Sequence, residues 1–97
     1  MVIQYVGFQL KPRGREYAYR VVDMKNAERE FKLTISNQTF LDQRVPYQDA
    51  AGICYQTLQR ELAEETPDEP LKPHLTISEE DLETYRLKYR PAKRRGN

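Results

Sequence analysis

The sequence predicts an α+β fold in the order β-β-β-α-α: a three-stranded antiparallel meander packed on one long helix and followed by a second, C-terminal helix. Three observations predict it. Polarity alternates with a period of two over three short runs rich in Val, Ile, Tyr and Phe before residue 37, as half-buried strands require. An apolar stripe at steps of three and four runs from Tyr47 to Leu62. A capped helical pattern then opens at Ser78 and stops at Pro91. At 97 residues and 38% hydrophobic, the chain is the size of one domain and can bury roughly 60–65% of its unfolded surface. That domain is expected over 1–90, with a Pro-rich connector at 66–74 inside it and a basic tail over 91–97.

In the first strand, Val2, Val6, Phe8 and Leu10 share a face with Gln4, opposite Ile3, Tyr5, Gly7 and Gln9. The second strand is ambiguous alone: either Tyr17, Tyr19 and Val21 face the core, or Ala18, Val22 and Met24 do. Register arbitrates. A four-residue loop Pro12-Arg13-Gly14-Arg15 sets Lys11 opposite Glu16 and aligns Leu10 with Tyr17, Phe8 with Tyr19 and Val6 with Val21. A three-residue loop Lys25-Asn26-Ala27 sets Asp23 opposite Arg29, Val21 opposite Phe31, Tyr19 opposite Leu33 and Tyr17 opposite Ile35. Both turns choose one face, so Val6, Phe8, Leu10, Tyr17, Tyr19, Val21, Phe31, Leu33 and Ile35 are the expected core of the meander. Ile3, Tyr5, Val22 and Met24 are then left as an apolar corner of the outer face that needs a cover.

An irregular or short extended stretch is expected through Phe40 and Leu41. The long helix opens near Pro46, where proline suits the first turn and Asp49 suits the positive end, and runs to about Glu65. Tyr47, Ala51, Cys54, Tyr55, Leu58 and Leu62 form its stripe, Ile53 falls off it, and Gly52 is expected to let the helix approach the sheet. Pro67, Pro70 and Pro73 make Thr66 to His74 an extended connector. Ser78 and Asp81 have the spacing of a capping box, Ile77 and Leu82 that of a hydrophobic staple, and Leu82, Tyr85 and Tyr89 give the second helix its narrow stripe.

Sixteen basic and fifteen acidic residues leave a net charge of +1, but the charges are segregated. Residues 1–45 hold 8 basic and 5 acidic side chains, 46–85 hold 2 and 10, and 86–97 hold 6 and none. The long helix ends on Glu61, Glu64 and Glu65 beside its negative pole, so a cation is wanted nearby. The basic end can fold back there, both blocks can serve external partners, or both are solvated surface.

Catalysis has little to stand on. One Cys and one His exclude an internal disulfide and a four-ligand zinc site from this chain alone, and a reducing compartment, the cytoplasm, is expected. Cys54 on the apolar stripe reads as a small buried hydrophobe, and His74 as a loop residue. Glu61, Glu64, Glu65, Asp68, Glu69, Glu79, Glu80 and Asp81 show no metal-ligand or acid–base spacing. Phosphate loops and dinucleotide fingerprints are missing. No catalytic residue, metal or cofactor is expected. The N-terminal residues carry neither a basic leader nor a long apolar run, so neither a secretory signal nor a membrane partner is expected.

Two binding classes remain. The Arg15-Glu16-Tyr17-Ala18-Tyr19-Arg20 run interleaves basic and aromatic residues as a base-stacking sheet does, but the register turns both tyrosines inward. The strand-strand-strand-helix order is similar, in topology alone, to the later part of a double-stranded-RNA-binding domain. This chain lacks that domain's opening helix and begins its own long helix Pro46-Tyr47-Gln48-Asp49 where the family presents lysines, so no family is assigned. A phosphate-backbone binder would use Arg86, Lys88, Arg90, Lys93, Arg94 and Arg95, with strong salt dependence. The favoured expectation is a small non-catalytic protein-interaction or adaptor module, self-associating or binding another protein. It would act through the corner of Ile3, Tyr5, Val22 and Met24, through an open strand edge, or through the charged blocks. Either the second helix covers that corner or a partner does.

Overall fold

The computed structural model describes residues 1–89. Seven elements follow in order: β1 (Val2–Lys11), β2 (Gly14–Val22), β3 (Glu28–Ser36), α1 (Asn37–Asp42), α2 (Tyr47–Ala63), β4 (His74–Thr76) and α3 (Glu79–Tyr89). The meander, the long helix and the later helix are all present. The sheet, however, is four-stranded and mixed, in the order β1-β2-β3-β4, because β4 adds parallel to β3.

Both elements missing from the sequence reading are short. Ser36 caps α1 by accepting from the Thr39 amide at 3.0 Å, and Phe40 is thereby turned into the core where an irregular stretch was expected. β4 begins immediately after Pro73, inside what reads as connector. The Lys32 amide donates to the Pro73 carbonyl at 2.8 Å and the Ile77 amide to the Thr34 carbonyl at 2.9 Å, so the strand is held at both ends.

Register is where the structure departs most. β1 and β2 meet through the two-residue turn Pro12-Arg13, with Lys11 opposite Gly14 and Phe8 opposite Tyr17. β2 and β3 are joined by five residues, because the Asp23 carboxylate accepts from the Lys25 and Ala27 amides at 2.8 and 2.9 Å and holds 23–27 out of the ladder. Each junction shifts the expected pairing by two residues, which preserves the faces because the side-chain period is two. Tyr17, Tyr19, Val21, Phe31, Leu33 and Ile35 are accordingly all buried.

A bulge then breaks the parity in β1. Tyr5 pairs with Tyr19 and Gly7 with Ala18, leaving Val6 as the extra residue. Gly7 takes a φ of +149°, a conformation that residues with a Cβ rarely adopt. Before the bulge Ile3 and Tyr5 face the helices, and after it Phe8 and Leu10 do. Val6, Phe8 and Leu10, expected as core, are exposed instead.

The helices form one layer on that face. α2 lays Ala50, Cys54, Leu58 and Leu62 on the sheet. α3 packs against α2, not against the outer sheet face. Its Leu82 and Tyr85 lie beside Ile53, which is buried for this reason, and Gly52 opens towards Tyr85, whose Oη would sit 3.3 Å from an added Cβ. The capping box is formed: the Ser78 amide donates to Asp81 Oδ2 at 2.9 Å and the Asp81 amide to Ser78 Oγ at 3.1 Å. Ile77 and Leu82 are both buried, as a staple requires. The cation wanted at the end of α2 comes from β3. Arg29 donates to both carboxylate oxygens of Glu65 at 2.8 and 3.0 Å, and the Leu71 amide adds a bond of 2.6 Å.

Candidate protein-interaction surface

The register arranges the helix-facing side of the sheet as transverse rows. Phe8, Tyr17, Leu33 and Leu75 form one across all four strands; Tyr5, Tyr19 and Phe31 form the next; Ile3, Val21 and Arg29, then Leu10, Arg15 and Ile35, flank them. Within the two central rows exposure changes abruptly at β1. Tyr17 and Tyr19 are 2% and 1% exposed, whereas Phe8 and Tyr5 beside them are each 48% exposed. α2 passes close to β1 and Ile3 is packed against the core, yet Tyr5, Phe8 and Leu10 are left as a half-exposed apolar shelf on the helix side of this strand.

The shelf is ordered by aromatic contacts. Tyr5 lies with its ring centroid 5.3 Å from that of Tyr19, and Phe8 stacks on Tyr17 at 5.5 Å. At its far end the Arg15 guanidinium sits 3.9 Å from the centroid of exposed Tyr47 and 5.2 Å from that of Phe8. Tyr47 leans on buried Phe40 at 4.7 Å, which anchors the cluster in the core. Burial is the main cause raising the phenol pKa of Tyr5, with Cys54 of α2 adding to it.

β1 has β2 on one side and, among the described residues, no strand on the other. It is 10 residues long and carries a single charged side chain, Lys11, which lies 3.8 Å from Glu16. The other edge is different: β4 has three residues and follows Pro73 directly. Short length and an adjacent proline protect a sheet edge, whereas a long uncharged strand invites another to pair with it.

The four residues expected to share an outer corner are divided by the bulge. Ile3 and Tyr5 belong to the helix-side rows. Val22 pairs with Val2 on the outer face, and Met24 stands exposed in the loop beyond. The rest of the outer face is a polar band that includes Gln4, Gln9, Glu16, Arg20, Lys32 and His74. Of the basic residues considered for phosphate, Arg86 donates to the Gln43 carbonyl and so ties α3 to the loop before α2. Lys88 borders a groove between α2 and α3 with Gln56, Arg60 and Tyr85. Arg90, Lys93, Arg94 and Arg95 lie outside the described residues. Tyr17 and Tyr19, the rings a base-stacking sheet would present, are buried.

Cys54 and His74 do not meet. Cys54 is buried beneath α2, where desolvation pushes its thiol pKa up, and His74 is exposed on the opposite face of the sheet, 3.8 Å from Glu16. Among the described residues no three His, Cys, Asp or Glu side chains gather as a metal site, and no helix is long and apolar enough to cross a membrane.

Tyr5, Arg15 and Tyr47 are the shelf residues that the sequence reading places elsewhere, on the outer face, in a turn and on the buried stripe, whereas Phe8 and Leu10 stand on the expected face but exposed. For Tyr5 the available signal was Gly7, since a lone glycine inside a strand pattern marks a bulge. No family model, curated protein or solved structure matches this chain.

Proposed function

We propose that the chain is a non-catalytic protein-interaction module that receives a polypeptide strand along the open edge of β1. The observation carrying this reading is the exposure step within single rows: apolar side chains on β1 stand in water beside fully buried neighbours of the same row. In strand addition the main-chain hydrogen bonds supply affinity, and alternate side chains supply specificity. An incoming strand would lay its inward side chains against Tyr5, Phe8 and Leu10 and its outward ones beside Gln4 and Gln9. Apolar residues alternating with polar ones is therefore the pattern the edge selects.

The test compares wild type with Tyr5→Glu and Phe8→Lys, each first checked by circular dichroism. The purified chains are examined by sedimentation, and polypeptides retained from lysate are identified in parallel. The reading requires a bound polypeptide, whether a second copy or another chain, that wild type holds and both variants release. Wild type that stays monomeric and retains nothing the variants lose would overturn it.

A further inference from the structure

We infer that the strand received by β1 is the β1 of a second copy, paired antiparallel about a two-fold axis through the Val6–Gly7 junction. This rests on the interaction reading above and names its partner.

The bulge supplies the argument. In a regular strand every odd residue faces one way, so pairing Val2 with Lys11 of a second copy would set helix-side residues against outer-side ones throughout. The extra residue at Val6 reverses the parity halfway along. Helix-side positions become Ile3, Tyr5, Phe8 and Leu10, which are symmetric about the bulge. The full-length antiparallel register then places Ile3 across from the second copy's Leu10 and Tyr5 across from its Phe8, all on the helix side. On the outer side Gln4 meets Gln9, two amides that can each donate and accept.

Charge and edge agree with this register. The only charged side chain of β1, Lys11, falls across from Val2 and not from its own mate, so no like-charged pair is created. Tyr5 with Phe8 is an aromatic cross-strand pair of the kind that stabilises antiparallel sheets. Because the β4 edge is short and follows Pro73, the pairing uses one edge per copy and closes as a dimer; two open edges would propagate a fibre. The product is a continuous eight-stranded sheet in which the two apolar shelves join.

The full chain is examined by sedimentation, and Gln4→Cys and Gln9→Cys chains are oxidised separately and as a mixture; native Cys54 is buried and does not compete. The expected result is a wild-type dimer, with the mixed sample forming severalfold more disulfide-linked pairs than either chain alone. A monomeric wild type at high micromolar concentration would overturn the inference. So would a dimer in which mixing brings no excess of linked pairs. In either case the interaction reading stands or falls separately, on the lysate arm of its own test.

Discussion

The phenol of Tyr19 in β2 donates a 2.5 Å hydrogen bond to the carbonyl of Ala51 in α2, across the sheet–helix interface. One row away in β2, the Tyr17 hydroxyl is buried near the Arg15 guanidinium without a hydrogen bond of good geometry. The two tyrosines therefore respond differently to loss of their oxygen. Tyr19→Phe breaks an interlayer bond and should cost about 1–2 kcal/mol, whereas Tyr17→Phe removes a hydroxyl already desolvated and should be neutral to slightly stabilising. Thermal unfolding separates them, since a domain of this size shifts by roughly 4–8 °C per kcal/mol. Equal losses would show that Tyr17 has a partner of equal value.

Gly7 has open space where a Cβ would stand, so Gly7→Ala creates no clash and tests the backbone alone. Its φ of +149° is costly for any residue with a side chain, and a penalty of about 1–3 kcal/mol is expected if the bulge is retained. The variant can avoid that penalty only by moving the bulge, which would change which residues of β1 face the helices. Tyr5 and Phe8 fluorescence and ring chemical shifts report the second outcome, and a lowered midpoint without such changes reports the first.

The elements that were legible in the sequence are those whose pattern is long and internally repeated. Tyr17, Tyr19 and Val21 were assigned to the core from two turns, and although both turn lengths were wrong, each error was even and left the face unchanged. The Ser78–Asp81 box and the Ile77–Leu82 staple were readable because capping is local chemistry. β1 failed for the opposite reason. One unpaired residue at Val6 inverts four positions, and period-two alternation carries no record of it beyond the glycine that follows. Tyr5 was hidden with it, since it reads as outer face until the bulge is placed; Phe8 keeps its helix-side face and departs from expectation only in its exposure. β4 was illegible because three residues beside Pro73 offer too short a period, and its pairing with β3 is a tertiary event.

Glu65 carries an acid-sensitive contact between β3, the end of α2 and the loop after it. Its pKa is lowered first by the bonds from Arg29 and then by the Leu71 amide. A carboxyl whose folded pKa lies below its unfolded value stabilises the fold above the unfolded value, near 4.3, and loses that contribution as pH falls through the folded pKa. Glu65→Gln should therefore be less stable than wild type at neutral pH, and the difference should close as both are taken below about pH 4. Because the ion pair is partly exposed, high salt should narrow the neutral-pH difference too. Denaturant midpoints at several pH values measure it, and a difference independent of pH would mean that the amide geometry of the loop, not the charge, holds this corner.

Asp81 joins two helices through one carboxylate. Its Oδ2 accepts from the Ser78 amide at 2.9 Å, completing the box that starts α3, while Oδ1 accepts from Arg60 of α2. Ser78→Ala removes only the cap on the Asp81 amide and should cost about 1 kcal/mol. Asp81→Ala removes the return bond and also leaves the partly buried Arg60 guanidinium without its interhelical acceptor, so its cost should exceed that of Ser78→Ala by about 1–2 kcal/mol. The effect should be regional before it is global. α3 reaches the core through few side chains, chiefly Leu82 and Tyr85, so amide exchange over 79–89 should accelerate in Asp81→Ala while β2 and β3 keep their protection. Uniform acceleration across the sheet would instead show that α3 and the sheet unfold as one unit, with Leu82 transmitting the loss to the interior.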